Sequence, residues 1–314
     1  MFVPEPLADD VARVTFPLPT PPGHVHGYLL RDAGGWTLVD TGLALPNVEA
    51  RFEELVASLD APVTRIVITH MHPDHIGAGE VAAAVTRAPV WQGALDYEQS
   101  ERVWGDPSWP ERLADWLASN GVPAPVTDDL RERGPAFASL IRFARDPQPL
   151  AEGDRVAGWE VLELPGHADG HLGLLKDGRL VCGDHVLPRI SPTVGLYPDS
   201  RPDPLGDFIA SLERIVALAP RIAYPGHGDP LDDAAGRARE LLAHHDERLG
   251  ATERALRDGR RTGYEVSLPL FAPDLDGTGR RFAVAETLSH LERLVALGRA
   301  ARVEGDGGVS YTAT

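Results

Sequence analysis

Short apolar runs and alternating segments fill most of the first 230 or so residues, and helical periodicity takes over after them. Residues 26–30 and 36–40 are apolar-rich and flank Asp32-Ala-Gly-Gly35, which predicts a hairpin whose second strand closes at Thr41 and Gly42. Residues 46–59 carry apolar positions at helical spacing. Residues 63–68 are rich in β-branched side chains and read as a short buried strand, with a helix at 77–87 and a strand at 89–91 after it. Strand-like segments return at 161–164, 173–175, 180–182 and 221–224. A long helix starts near 232–236 and runs to about Arg257, followed by helical segments at 264–266 and 283–297. Residues 301–303 and 309–311 then flank a Gly-rich turn at 305–308, and no repeat of solenoid period appears.

Polar groups interrupt this pattern at strand ends. Thr69-His-Met-His-Pro-Asp-His75 follows the strand at 63–68 and packs His70, His72, Asp74 and His75 into six positions. Pro73 disfavours continuation of a strand or helix, so the four groups leave the strand in a tight loop. Imidazole and carboxylate together suit a borderline divalent metal. His167, Asp184 and His227 each follow a glycine just past a predicted strand. Glycine there lets the backbone turn sharply and approach a metal closely. Open α/β sheets gather sites in this way, from parallel strand ends that meet in one crevice. Each motif alone is an ordinary turn, whereas the whole set in this order specifies a site.

The motifs His-x-His-x-Asp-His (70–75), Pro-Gly-His (165–167), Gly-Asp (183–184) and Pro-Gly-His (225–227), with Val39-Asp-Thr-Gly42 upstream, resemble the metallo-β-lactamase superfamily over residues 20–232. The resemblance implies a four-layer αββα sandwich with metals at one edge of two inner sheets. It implies His70, His72 and His167 on one metal, Asp74, His75 and His227 on a second, Asp184 bridging the two, and Asp40 orienting the site. Two divalent ions are expected, zinc first, with iron or manganese also accepted by these donors. No acid replaces His72, which argues against the diiron flavoprotein kind of oxygen or nitric oxide reductase. The reaction class implied is hydrolysis by a metal-bridging hydroxide that Asp74 orients while ligating. Residues 183–192, 203–207 and 285–298 further resemble the branch of these hydrolases that ends in a winged helix, which includes an endoribonuclease. The expected organisation is a catalytic domain over 1–232, with a helical insertion at about 92–146, and a winged-helix-like domain over 233–314.

Charge and composition bear on the substrate. The formal net charge is −17, and it is unevenly spread. From Arg237 onward 12 Arg balance 12 acidic residues, so residues 1–236, with 18 basic and 35 acidic groups, carry the whole excess. Such a body repels phosphate backbones and argues against nucleic acid as a general partner. No run of eighteen apolar residues predicts a membrane span, and the N-terminus lacks a secretory pattern. The single cysteine, Cys182, lies in an apolar run, fits a reducing cytoplasm, and reads as a core residue rather than a nucleophile.

The first functional reading is therefore a hydrolase of a small-molecule ester, thioester or lactone. The alternative is a metal-dependent endoribonuclease or phosphodiesterase of the winged-helix branch, with a non-enzymatic DNA-binding regulator third. The insertion would sit over the metals, where Trp104, Trp109 and Trp116 either line an apolar pocket or pack the insertion's own core. Trp104, Arg189 and Tyr197 are candidate substrate contacts, and His185 is a candidate proton donor to a leaving group. His24 and His26 read as solvated loop residues, and His244, His245 and His290 as solvated helix residues. The C-terminal domain offers a homodimer surface.

Overall fold

A computed structural model describes residues 2–305 and 307–314, so Asp306, inside the predicted turn at 305–308, lies outside it. Seven strands form the first sheet in chain order: β1 (Glu5–Ala8), β2 (Val11–Pro17), β3 (His24–Asp32), β4 (Gly35–Val39), β5 (Val63–Ile68), β6 (Val90–Gly93) and β7 (Gln148–Leu150). β1 to β4 pair antiparallel, and β4 to β7 run parallel. The second sheet has the order β12-β11-β10-β9-β8, from β8 (Arg155–Val156), β9 (Trp159–Glu163), β10 (Leu172–Lys176), β11 (Arg179–Gly183) and β12 (Ile222–Pro225). β10 is antiparallel to both β9 and β11, and β11 is parallel to β12, so β9, β11 and β12 send their carboxyl ends the same way. The predicted hairpin is β3–β4, with Tyr28 opposite Val39. β1 and β2 went unpredicted, although Val14 and Phe16 alternate with Arg13 and Thr15 as a half-buried strand should.

Near-continuous apolar strands arise because successive side chains serve different cores. Tyr28, Leu30, Val39 and Val67 face Trp159, Val161, Leu174 and Val181 between the sheets. Their neighbours Leu38, Ile66 and Ile68 pack outward against Phe52 and Leu55 of α1 (Val48–Ser58). The predicted helix at 77–87 is α3 (Gly79–Thr86), and a short helix, α2 (Pro73–Ile76), precedes it inside the loop where none was expected. Pro73 opens α2 at its first helical position, where the missing N–H leaves no bond unmade. On the far side, Leu162, Leu164, Leu180 and Cys182 pack against Phe208 and Leu212 of a later helix. Helix, sheet, sheet, helix is thus the layer order.

The insertion contributes α4 (Ala94–Val103), α5 (Trp109–Ser119) and α6 (Ala124–Ala138), and α7 (Pro204–Leu218) covers the second sheet. The last segment comprises α8 (Ala234–Ala255), α9 (Gly263–Ser267), α10 (Gly277–Ala296) and the hairpin β13 (Ala300–Gly305) to β14 (Gly308–Ala313). α8 begins near the expected boundary, where the Asp233 carboxylate caps it by accepting from Gly236 N at 2.7 Å. The boundary does not divide the packing, because one core holds Leu205 and Phe208 of α7 together with Leu241 and Leu249 of α8 and Leu288 and Leu291 of α10. Among the described residues no helix is long and apolar enough to cross a membrane.

Two of the C-terminal histidines overturn the solvated reading. His245 and His290 are buried, while His244 is half-buried. The His290 Nδ1–H donates to Glu286 O at 2.8 Å, which leaves its Nε2 to face His245 Nδ1 at 3.3 Å. Burial lowers His245 to about 3 and His290 to about 4, so both are neutral. Helical spacing places a residue on a face, but only the packing of α8 on α7 and α10 decides that this face is inward.

Phe208 sits at the centre of the shared core, its ring 4.9 Å from His185 and 5.4 Å from His245. Phe208→Ala is expected to cost about 3–5 kcal/mol in chemical denaturation. Fluorescence and far-UV dichroism should lose structure in one transition, because the second sheet and the C-terminal helices share that core. Two separate transitions would contradict it.

Candidate metal centre

β4, β5, β9, β11 and β12 deliver their carboxyl ends to one edge of the sandwich, where backbone bonds tie neighbouring strand ends and the two sheets together. Leu172 N donates to Thr69 O (2.8 Å), Gly226 N to Gly183 O (2.8 Å) and His26 N to Gly226 O (2.7 Å). Two of the turns need glycine. Gly183 has φ of +47°, and a Cβ on Gly226 would strike Asp184 Oδ1 and lie 2.8 Å from His75 Cε1.

The side chains gathered there form two groups of donors, His70, His72 and His167 in one and Asp74, His75, Asp184 and His227 in the other, with the donor atoms of each within 4.8 Å of one another. Hydrogen bonds fix which ring nitrogen each histidine presents. The carboxylate of Asp40, just past β4, accepts from Thr69 N, Thr69 Oγ1 and His75 Nδ1, each at 2.8 Å. Thr69 Oγ1, its own proton spent on Asp40, accepts from His70 Nδ1 at 2.9 Å. One carboxylate therefore sets two histidines, one in each group, to present Nε2. His167 Nδ1 donates to Thr193 O and His227 Nδ1 to His24 O, both at 2.8 Å, so these too present Nε2. His72 instead offers Nδ1, 2.8 Å from His167 Nε2. His70 Nε2, His75 Nε2 and Asp184 Oδ1 are buried without a hydrogen-bond partner among the described residues. Orphaned basic atoms converging beside carboxylates fit divalent metal ions and little else.

Electrostatics separates the two groups. Burial first, and then neighbouring imidazoles, hold His70 far below its ordinary pKa and His72 at about 3, so these rings are neutral and ready to ligate. Burial works against charge on His227 as well, but hydrogen bonds to Asp184 and Asp74 outweigh it and push the ring up to about 10. Burial likewise opposes charge on His75, and Asp184, Asp74 and Asp40 outweigh it and raise that ring too. Without metal the second group is thus two carboxylates held against two imidazolium rings.

Several predicted neighbours lie elsewhere. His185 is fully buried with its ring against Phe208, 5.8 Å from the ring of His171, and burial lowers it to about 3. A ring sealed in the core cannot reach a leaving group, so the proton-donor role does not survive. His26 lies buried on β3 with its ring 4.7 Å from His24, and burial lowers it to about 4, so it is no solvated loop residue. Half-buried His24 supports His227 through its carbonyl. Arg189 is exposed and makes no ion pair among the described residues. Tyr197 is half-buried, and burial together with the Glu286 charge raises its hydroxyl pKa. Of the tryptophans, Trp109 is buried under Arg112, Trp116 packs on the core shared with the C-terminal helices, and Trp104 donates from Nε1 to Met71 O at 2.8 Å. Cys182 is a buried free thiol whose pKa burial pushes up to about 12, as a core residue should be.

Sequence reasoning missed His171, which is fully buried with its ring 4.7 Å from that of His70. Its one signal was its place four residues after His167. It also missed Asp96, Gln99 and Asp169, buried polar residues on α4 and beside His167 that belong to no motif.

With this geometry in place, the comparisons with known proteins agree. The chain belongs to the metallo-β-lactamase superfamily, whose family model matches residues 20–227. A second model, the metallo-β-lactamase-like C-terminal domain, matches residues 249–314. The probable metallo-hydrolase YqjP of Bacillus subtilis (strain 168) is 28% identical over 306 residues, covering 92% of this chain and 93% of its own length. A metallo-β-lactamase family protein from Thermus thermophilus superposes with a TM-score of 0.84 at 36% identity, over 98% of this chain and 100% of that one. A β-lactamase domain protein from Burkholderia ambifaria gives a TM-score of 0.89 at 31% identity, over 99% and 94%. The protein is accordingly a metal-dependent hydrolase of that superfamily.

Two outcomes follow from the donor chemistry. Asp40→Asn keeps the size of the side chain but turns an N–H toward His75 Nδ1, so metal affinity should fall by about 10–100-fold in chelator competition. Unchanged affinity would remove Asp40 from the centre. Metal binding at pH 7.5 should also release protons from His75 and His227. Calorimetry in buffers of different ionisation enthalpy would register that release, and apparent affinity should climb as pH rises toward about 10. Binding without proton exchange would show that the second group is not the site.

Proposed function

We propose that this protein hydrolyses small-molecule esters, thioesters or lactones with two divalent ions, zinc by preference. The observation that carries the reading is the place of Asp184, whose Oδ2 lies 3.8 Å from His167 Nε2 in the first group and 3.4 and 3.2 Å from His75 and His227 Nε2 in the second. A carboxylate so shared suits a pair of ions about 3.5–4 Å apart. When bound, such a pair supplies a water of lowered pKa and positive charge for a developing oxyanion.

The chain's own residues supply position and selectivity. The Asp74 side chain is 22% exposed against 0% for His75, 9% for Asp184 and 10% for His227, so it is the donor of its group best placed to meet an attacking water. Arg189, exposed and without an ion pair among the described residues, is available to a carboxylate or phosphate on the substrate. The half-buried ring of Trp104 offers an apolar wall, and the neutral hydroxyl of Tyr197 a hydrogen bond. We read α8 to β14 as a winged helix used for packing or dimerisation, since it shares a core with α7. The acidic body disfavours nucleic acid, and the lone buried thiol suits a reducing cytoplasm.

Zinc-loaded protein assayed on acyl-CoA or acyl-glutathione thioesters, lactones and single-stranded RNA should turn over a thioester or lactone. Asp184→Ala or His72→Ala should abolish that turnover, and His72→Ala should do so while leaving the thermal melt of the metal-free protein in place. RNA cleavage that depends on His70, without ester turnover, would overturn the choice in favour of a phosphodiesterase.

A further inference from the structure

Helix α4 starts directly after β6 and lies between the two loops that carry His70, His72 and His167. At its carboxyl end the Trp104 indole N–H donates to the carbonyl of Met71, the residue between His70 and His72, at 2.8 Å. At its amino end Asp96 presses on the loop after His167, so that a Cβ on Gly170 would lie 2.6 Å from Asp96 N and 2.7 Å from Asp96 Cβ. Midway, Gln99 Nε2 donates to Asp169 Oδ2 at 2.6 Å, and that oxygen also accepts from Arg201 N at 2.8 Å. Asp169 stands two residues beyond His167. Gln92 Nε2, at the end of β6, donates to Asp96 Oδ2 at 2.8 Å and fixes that carboxylate. These are buried, oriented contacts, with Asp96 0% and Gln99 6% exposed. The second donor group leans on other supports. His75 is held by Asp40 and by the bonds from Thr41 N and Oγ1 to its carbonyl, and His227 by His24 O.

We propose that α4, acting through Trp104 and Gln99, is a positioning element for the first donor group beside Asp40, so that the insertion weighs more on the occupancy of one metal position than on that of the other. The proposal rests on the dinuclear reading above. The physical ground is that a ligand loop held by backbone hydrogen bonds keeps its histidines convergent without metal, and loss of such support typically lowers metal affinity about 10–100-fold.

The test is cobalt(II) titration of the full-length, metal-free protein, followed by visible absorption and by chelator competition. Variants are Trp104→Phe, which keeps the ring and removes the N–H, Gln99→Leu as an independent break in the same support, and Glu98→Gln as an exposed control on the same helix. His72→Ala and His227→Ala identify which titration step belongs to which group. Wild type and Glu98→Gln should take two ions in two steps. Trp104→Phe and Gln99→Leu should weaken the step lost in His72→Ala by about tenfold or more and shift its absorption band, leaving the step lost in His227→Ala unchanged. If both steps weaken equally, or neither moves in either variant, the positioning role is wrong. If wild type takes only one ion, the dinuclear reading fails first and takes this proposal with it.

Discussion

The whole arrangement depends on one buried carboxylate, Asp40. It is 2% exposed, and its two oxygens accept hydrogen bonds from the backbone of Thr69, the hydroxyl of Thr69 and the ring of His75. A buried carboxylate without such donors would be expensive to keep charged. Here its donors are also the groups that aim His70 and His75, so satisfying the charge and orienting the ligands are one act. The residue holds a left-handed backbone, with φ of +62°, which turns the chain out of β4 so that the carboxylate points across at the end of β5. A shift of either strand by one residue would reverse its side chains and dismantle the network.

The rest of the fold can be read as the support of that register. Because Leu38, Ile66 and Leu180 face outward while Val39, Val67 and Val181 face the inter-sheet core, slippage of these strands would exchange side chains of different size between two close-packed cores. Strand ends thus arrive at the edge with little freedom, and the ligand loops inherit their position. The C-terminal helices extend the outer core of the second sheet, and Phe208 joins them to the wall behind His185 and His171. A histidine in that wall has no solvent and no substrate to serve, which is why His185 packs rather than acts.

Legibility in the sequence follows the range of the interactions. The candidate donors His70, His72, Asp74, His75, His167, Asp184 and His227 were legible because each follows closely on an apolar strand, a relation visible within about ten residues. The hairpin β3–β4 was legible for the same reason. Burial of His26, His245 and His290 was not, since nothing local tells a solvated helix or loop histidine from one whose face meets another element. Asp96, Gln99 and Asp169 were invisible as a set because 70 residues separate Gln99 from the carboxylate it holds. The three tryptophans read as a pocket lining or an insertion core, yet only their packing assigns them: Trp109 is buried, Trp116 packs on the core shared with the C-terminal helices, and Trp104 packs on the outer core of the first sheet while donating to the carbonyl of Met71.

By itself the sequence determined the donor set, the strands that carry it and the reaction class, because metal chemistry restricts residue type and strand-end loops restrict spacing. Tertiary structure alone brought together the two groups that the resemblance implied, and it alone decided the tautomer of each histidine and the difference in charge between the groups. Each of these rests on distances of about 3 to 4 Å between residues far apart in the chain, and such distances exist only once both sheets have closed on their common core.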